Sequence, residues 1–247
     1  MKNIKIGLKV GQNSSKEYID LISKHVDFIE IYAHMSCDFE ILNSFNKPVT
    51  VHIAHFSQGV NFSNPNKLAL NNRALKHAIK LADRFNSKKI IFHPELREDD
   101  QCTLNTLEKF LTDNYDERLY IENMPYSSMG FPHFAADYLD IAYLTKKLNI
   151  KFCLDFAHGF EFLTKESTPL DAIQHYIDLS PGHFHVTDTD LNEVFEASYN
   201  EAHLNFGEGN IDLGWVQKMI PDGSWVTIET PAHPKKQIDE IAYLRTL

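Results

Sequence analysis

The sequence predicts an α/β fold of the (β/α)8 barrel class. Three observations lead there: eight strand-like runs, helical stretches between them, and a polar residue that recurs at the C-terminal end of strand after strand. The runs are Ile4–Val10, Phe28–Ala33, Val49–Ala54, Lys89–Pro94, Arg118–Met124, Lys151–Ala157, His183–Asp188 and Ser224–Thr230. In Lys151–Ala157, Phe152, Leu154 and Phe156 alternate with Cys153 and Asp155, which is the two-residue period of a strand, and His158 follows on the exit turn.

The clearest helix is Asn66–Phe85, where Leu68, Leu75, Ala78, Ile79, Ala82 and Phe85 fall on one stripe. Phe134–Leu148 and Lys235–Leu247 are similar. Lys16–His25, Thr103–Asp113, Thr168–Leu179 and Asp212–Met219 are shorter, and a further helical segment is expected around Asp38–Ser44. Strands alternating with helices imply a parallel sheet with right-handed crossovers. Eight such units close into a barrel whose site lies at the C-terminal strand ends. No Pro/Gly/Ser-rich linker or shift of composition divides the chain, so residues 1–247 read as one TIM-barrel domain.

Composition narrows the function classes. A net charge of −10 gives no general reason to expect a polyanionic partner. Three cysteines without CxxC spacing (Cys37, Cys102 and Cys153) fit reduced thiols and a cytoplasmic location. The N-terminus has no signal-peptide pattern, and no apolar run is long enough for a membrane span.

The strand ends carry the chemistry. Strand periodicity places His52, His93, Glu122, Asp155, His185 and Glu229 at or near the C-terminal ends of the third to eighth strands. A single strand-end histidine is more often a packed core residue than a ligand. Three carboxylates and three imidazoles on one rim are different, because burying them without cations costs at least several kcal/mol. Divalent metal is the simple answer. His183 lies one layer deeper than His185 and reads as structural, while His25, His175 and His233 read as surface residues. Asn200–Asp212 adds Glu201 and His203, which point the same way in an extended loop, followed by the turn Gly207-Glu208-Gly209.

At this point the motifs IIFHP, LYIENM, CLDFAH, HFHVTD, HLNFGEGNID and TIET, spread over residues 48–231, resemble endonuclease IV within the wider xylose-isomerase-like superfamily. The resemblance implies a three-zinc barrel that cleaves DNA 5′ to abasic sites. It implies that His52 and His93 hold one zinc and that Glu122 bridges it to a second, completed by Asp155, His185 and Glu229. The third would take His158, Glu201 and His203. Glu122 and Glu229 would be the catalytic carboxylates that orient or deprotonate the nucleophile. The superfamily's sugar isomerases and epimerases use a subset for one metal, corresponding to Glu122, Asp155, His185 and Glu229, with His158 beside the substrate. In that reading the ion is zinc, Mn2+ or Mg2+ and the substrate a small sugar. A third reading is a non-catalytic barrel that binds a ligand, for which the ligand cluster has no use.

The chain departs from the endonuclease pattern in four places. Glu201 stands where the family has Asp. The loop His55–Pro65 is about three residues longer, which makes His55 a competing ligand. The segment AHMSCDF lacks the family's Arg- and aromatic-bearing DNA-inserting loop, and the chain is short for the family. The rim is also poor in cations: Val186–Phe206 has no Lys or Arg but contains Asp188, Asp190, Glu193, Glu196 and Glu201. Phosphate contacts to a duplex normally need cations or N–H donors. The expectation is therefore a multi-zinc phosphoric diester hydrolase acting on abasic DNA or a smaller phosphate ester, with a divalent-metal sugar isomerase or epimerase as the alternative.

Overall fold

The computed structural model describes residues 3–160, 169–191, 203–231 and 233–247, and only the backbone of 169–172. Ten strands are present among them. Eight form a closed parallel barrel: β1 (Lys5–Val10), β2 (Phe28–Ala33), β3 (Val49–Ile53), β4 (Ile90–Phe92), β5 (Leu119–Glu122), β8 (Lys151–Asp155), β9 (His183–Val186) and β10 (Trp225–Ile228). They pair in the order β1-β10-β9-β8-β5-β4-β3-β2, and β1 closes back on β2. All eight expected strands are present; β2 has the expected bounds, and the others are about one to three residues shorter, at either end.

Two extra strands were not expected. β6 (Ser127–Ser128) and β7 (Phe131–Pro132) form a small antiparallel hairpin. Its two central residues, Met129 at φ 54° and Gly130 at φ 80°, both take the left-handed conformation that tight hairpins demand. The hairpin displaces the start of the helix expected from Phe134. That helix spans Tyr138–Leu148, where Asp137 caps it by accepting from the Leu139 N–H. The segment around Asp38–Ser44 makes only a single 3-10 turn, Glu40–Leu42.

The helix Leu68–Arg84 buries Asn71, Ala74, Leu75, Ala78, Leu81 and Ala82 against the sheet. Leu68, at its first position, is 52% exposed and lies off that stripe. Thr103, Asp212 and Ser15 cap the helices Leu104–Asp113, Leu213–Met219 and Lys16–Ile22 through their side-chain oxygens. The outward faces of the strands (Ile29, Ile31, Val51, Ile53, Leu154, Phe184, Val226 and Ile228 among them) are buried under these helices. Each such side chain contributes roughly 1.5–3 kcal/mol of burial free energy.

Inside the barrel the residues stack in layers. Ile91, Tyr120 and Cys153 pack together at the N-terminal side. Phe28 lies across Gly7, where an added Cβ would stand 2.5 Å from the ring, so β1 must be bare there for the barrel to fill. Above this apolar floor the interior becomes polar: Glu30, Thr50, His183 and Thr227 come first, and the site residues follow at the mouth. No helix among the described residues is long and apolar enough to cross a membrane.

Candidate metal centre

The strand ends converge as a parallel barrel requires. Register pairs Asp155 with His185 directly, and Glu122 with Cys153, two residues before Asp155. Asn123 clamps β5 to β8: its side-chain oxygen accepts from the Asp155 N–H (2.7 Å) and its amide donates to the Asp155 carbonyl (2.8 Å). Asp155 in turn accepts from the His158 N–H at 2.9 Å, which fixes the exit turn and brings His158 back over the mouth.

Five sets of three donor atoms, each set's atoms within 4.8 Å of one another, result among the described residues; two (Cys153, His183 and His185; Glu30, His185 and Glu229) reach below the mouth, and three line it: His52, His93 and Glu122; Glu122, Asp155 and His185; and Asp155, His158 and His203. Of these three, Glu122 belongs to the first two and Asp155 to the last two, so the sets form a chain. Glu229 joins at His185, with Oε1 3.0 Å from Nδ1. Glu201 lies outside the described residues. His55 stacks on His93 at 5.2 Å between ring centroids but belongs to no such set among the described residues, whereas His52 points its Nε2 at Glu122, 3.1 Å away. A cavity of about 550 Å3, lined by Lys9, Tyr32, His55, His203, Glu229, Thr230 and Pro231, opens onto this centre.

The family model described as "Xylose isomerase-like TIM barrel" matches residues 40–247. The chain belongs to the xylose isomerase-like TIM barrel family. Among solved structures, this xylose isomerase-like barrel is similar to a D-tagatose 3-epimerase-like protein, with 18% identity over 98% of this chain and 96% of that one and a TM-score of 0.73. It is also similar to endonuclease IV from Thermus thermophilus, with 15% identity, 98% of both chains covered and a TM-score of 0.69. A third similar structure is the IOLI protein with a binding zinc atom, with 15% identity, 98% of this chain and 96% of that one covered and a TM-score of 0.70. These likenesses establish the shared fold. No curated protein matches the sequence.

The donor chemistry of this xylose isomerase-like barrel fits divalent metal. Glu122 Oε1, Asp155 Oδ2, His93 Nε2 and His185 Nδ1 are buried and make no hydrogen bond among the described residues. Such atoms are costly unless something binds them. The imidazoles are oriented for it. A carbonyl can only accept, so His52 donates through Nδ1 to Ile53 O (2.9 Å), His158 through Nδ1 to Asn123 O (3.0 Å) and His203 through Nδ1 to Glu229 O (3.2 Å). Each bond leaves Nε2 as the lone-pair nitrogen. Nitrogen and carboxylate donors in groups of three suit zinc and other borderline divalent ions.

Electrostatics points the same way. Burial raises Glu122 and Glu229, but His185 beside both, with His93 near Glu122 and Lys9 near Glu229, holds them well below the usual carboxylate range. Burial pulls His185 down, while Cys153, Glu229, Glu30 and Glu122 lift it well above the usual imidazole range. The Cys153 thiol is itself pushed up to about 12 by burial, so at neutral pH the carboxylates carry that effect. Burial lowers His93 to about 4 and lowers His203, so both keep their lone pairs at neutral pH.

Several residues around the centre went unread in the sequence. Lys9, on β1, forms an ion pair with Glu229 and stands 3.6 Å from Glu30. Glu30, fully buried on β2, meets His183 and His185. Their signal was the two-residue period: Gly7 and Lys9, and Phe28, Glu30 and Tyr32, share the inward faces of their strands. Glu95, at φ 78°, is fully buried 4.0 Å from His93 Nδ1, and His133 is buried with its ring edge-on to Phe56, 6.4 Å between centroids. His183 occupies the deeper layer expected of it, and His25, His175 and His233 are exposed.

Proposed function

We propose that this chain is a multi-metal phosphoric diester hydrolase, with zinc as the metal that its donor set suits best. The observation that carries the reading is the chain of three donor sets joined by two shared carboxylates, Glu122 and Asp155. A single-ion enzyme needs one set, with His158 beside its substrate; His52 and His93 at one end and His203 at the other are not needed as ligands in it. When bound, closely spaced divalent ions clamp the oxygens of a phosphate ester and acidify water.

The chain's own residues divide the remaining work. His52 and His93 hold one end of the centre, and Asp155, His158 and His203 the other. Glu122 and Glu229, ionised and flanking His185, are placed to orient the nucleophilic water and accept its proton. Lys9, the one cation among the described residues that line the mouth, faces the substrate cavity and offers a point charge to a phosphate oxygen. The absence of Lys and Arg from Val186–Phe206 favours a small or single-stranded ester over a long duplex contact.

One observation favours a second reading. Glu122 Oε2 and Glu229 Oε1 lie 3.2 and 3.0 Å from the same His185 nitrogen; with Asp155 and His185 they would hold one ion, and the two carboxylates would then be the pair to pass a proton between adjacent carbons of a small ketose. The two readings separate by assay. Zinc-loaded protein is offered bis(p-nitrophenyl) phosphate, an abasic-site oligonucleotide in single- and double-stranded form, and a panel of ketoses. Zinc-dependent cleavage of an ester supports the first reading. Ketose epimerisation without cleavage of any ester overturns it.

A further inference from the structure

We infer that Glu30 is the positioning residue of the metal centre: it lies one layer below the centre and sets which nitrogen of His185 meets the metal. This rests on the centre binding metal and does not depend on which bond is cleaved. Glu30 is fully buried on β2. Its Oε1 stands 3.1 Å from His185 Nε2. Its Oε2 stands 3.1 Å from His183 Nε2 and accepts from Thr227 Oγ1 at 2.9 Å and Thr50 Oγ1 at 3.3 Å. Hydrogen bonds from His185, Thr227 and Thr50 therefore converge on Oε2, with His183 Nε2 beside them and the Lys9 ammonium 3.6 Å from Oε1. An ionised carboxylate, which accepts only and has about four lone-pair sites, is the side chain that satisfies such a shell.

The consequence falls on His185. An imidazole that donates through Nε2 presents Nδ1 as its lone-pair nitrogen. The Nδ1 of His185 is the atom aimed at the centre, 3.0 Å from Glu229 and 3.2 Å from Glu122. The other four histidines of the centre differ. His52, His158 and His203 are oriented by backbone carbonyls and offer Nε2, and the Nδ1 of His93 stands 4.0 Å from Glu95, beyond hydrogen-bond reach. In His185 a carboxylate from one layer below meets Nε2, and the ring offers the opposite nitrogen. Glu30, His185 and Glu229 also lie close enough to hold an ion themselves. The hydrogen bonds that Glu30 accepts fall on Oε2, and the side chain meets His185 at Nε2, the nitrogen turned away from Glu122 and Glu229, so it is assigned the place behind the ligand.

The test is Glu30→Gln. The amide keeps the shape, and its oxygen can still serve His183 and the two threonines, but its NH2 faces His185 and donates where the carboxylate accepted. His185 then turns its lone pair to Nε2 and its proton to Nδ1. Zinc is titrated against a chromophoric chelator in wild type and variant. Expected is a 10- to 100-fold loss of affinity for one ion only, the size typical for loss of an orienting partner, with the remaining ions held as in wild type. Equal zinc affinity in a folded Glu30→Gln protein overturns the inference. A role limited to packing would lower the melting temperature and leave every zinc affinity unchanged, which is the same overturning result. Should the variant not fold, the imidazole nitrogen spectrum of zinc-loaded wild type decides: a proton on Nε2 of His185 supports the inference, and a proton on Nδ1 overturns it. Zinc retention with Glu30 confirmed but no ester cleavage would remove the hydrolase reading alone.

Discussion

Glu122 Oε2 lies 3.2 Å from Nδ1 of His185 and, on its other side, 3.1 Å from Nε2 of His52, so this carboxylate spans from β3 to β9 across the barrel mouth. A carboxylate that bridges two imidazoles from opposite sides of a barrel has little reason to exist without cations between them.

His203→Ala removes one donor from the set Asp155, His158 and His203. Two described ligands remain there, fewer than the three or four that stable zinc sites use. The variant should bind one ion fewer than wild type, lose most esterase activity, and keep its melting temperature within a few degrees, because His203 is not part of the hydrophobic core. Metal analysis beside a thermal melt checks this; an unchanged ion count would remove the third set from the site.

Much of this was legible in the sequence because strand chemistry is local. Asp155 and His158, or Glu122 in LYIENM, sit where period two meets the end of an apolar run, and a parallel barrel gathers strand ends. Glu30 and Lys9 escaped because they lie inside their runs, FIEIYA and IKIGLKV, where a lone charge reads as an outward-facing residue. Only closure of the barrel, which places Thr50 beside Glu30 and Thr227 across from it, shows that the face is interior. The hairpin Ser127–Pro132 was unreadable for another reason: two-residue strands have no periodicity, and its turn is Met-Gly, not the usual Asn-Gly.

Lys9→Met should tighten zinc binding at the ion that shares Glu229. In the metal-free chain the Lys9 ammonium pairs with that carboxylate and competes with a metal for it. A gain of about tenfold, or ~1.4 kcal/mol, is modest beside the ~4 kcal/mol between unit charges 4 Å apart at an effective dielectric of about 20. Zinc competition titration reads it directly. Weaker binding would show that Lys9 supports the centre instead of opposing the metal.

Stability of the metal-free protein should fall with acid. Burial depresses His183 to about 4 and lowers His133 well below the imidazole range. In the unfolded chain both titrate near 6.5, so between about pH 6.5 and 4 the unfolded state binds protons that the folded state refuses. The sign is unambiguous for these two groups: stability is fully present above about 6.5 and declines as pH falls through that window. Urea midpoints at pH 7, 6, 5 and 4 check it, and a midpoint that rises toward pH 4 would contradict the burial of these two rings.

Chelation should inactivate without unfolding. The strand faces that pack beneath the helices are apolar and lie away from the donor sets. EDTA-treated protein should keep its far-UV circular dichroism and lose a few degrees of melting temperature, the linkage effect of losing a bound ligand. Collapse of the spectrum on chelation would mean that the metals hold the barrel together.

The central claim is that the donor sets joined by Glu122 and Asp155 hold more than one ion. Metal content per chain tests it most directly, measured by mass spectrometry on wild-type protein loaded with zinc and freed of loosely bound metal on a chelating column. Two or three zinc ions per chain is the predicted result. One ion per chain would contradict the account and leave Glu122, Asp155, His185 and Glu229 as the ligands of a single-metal isomerase site.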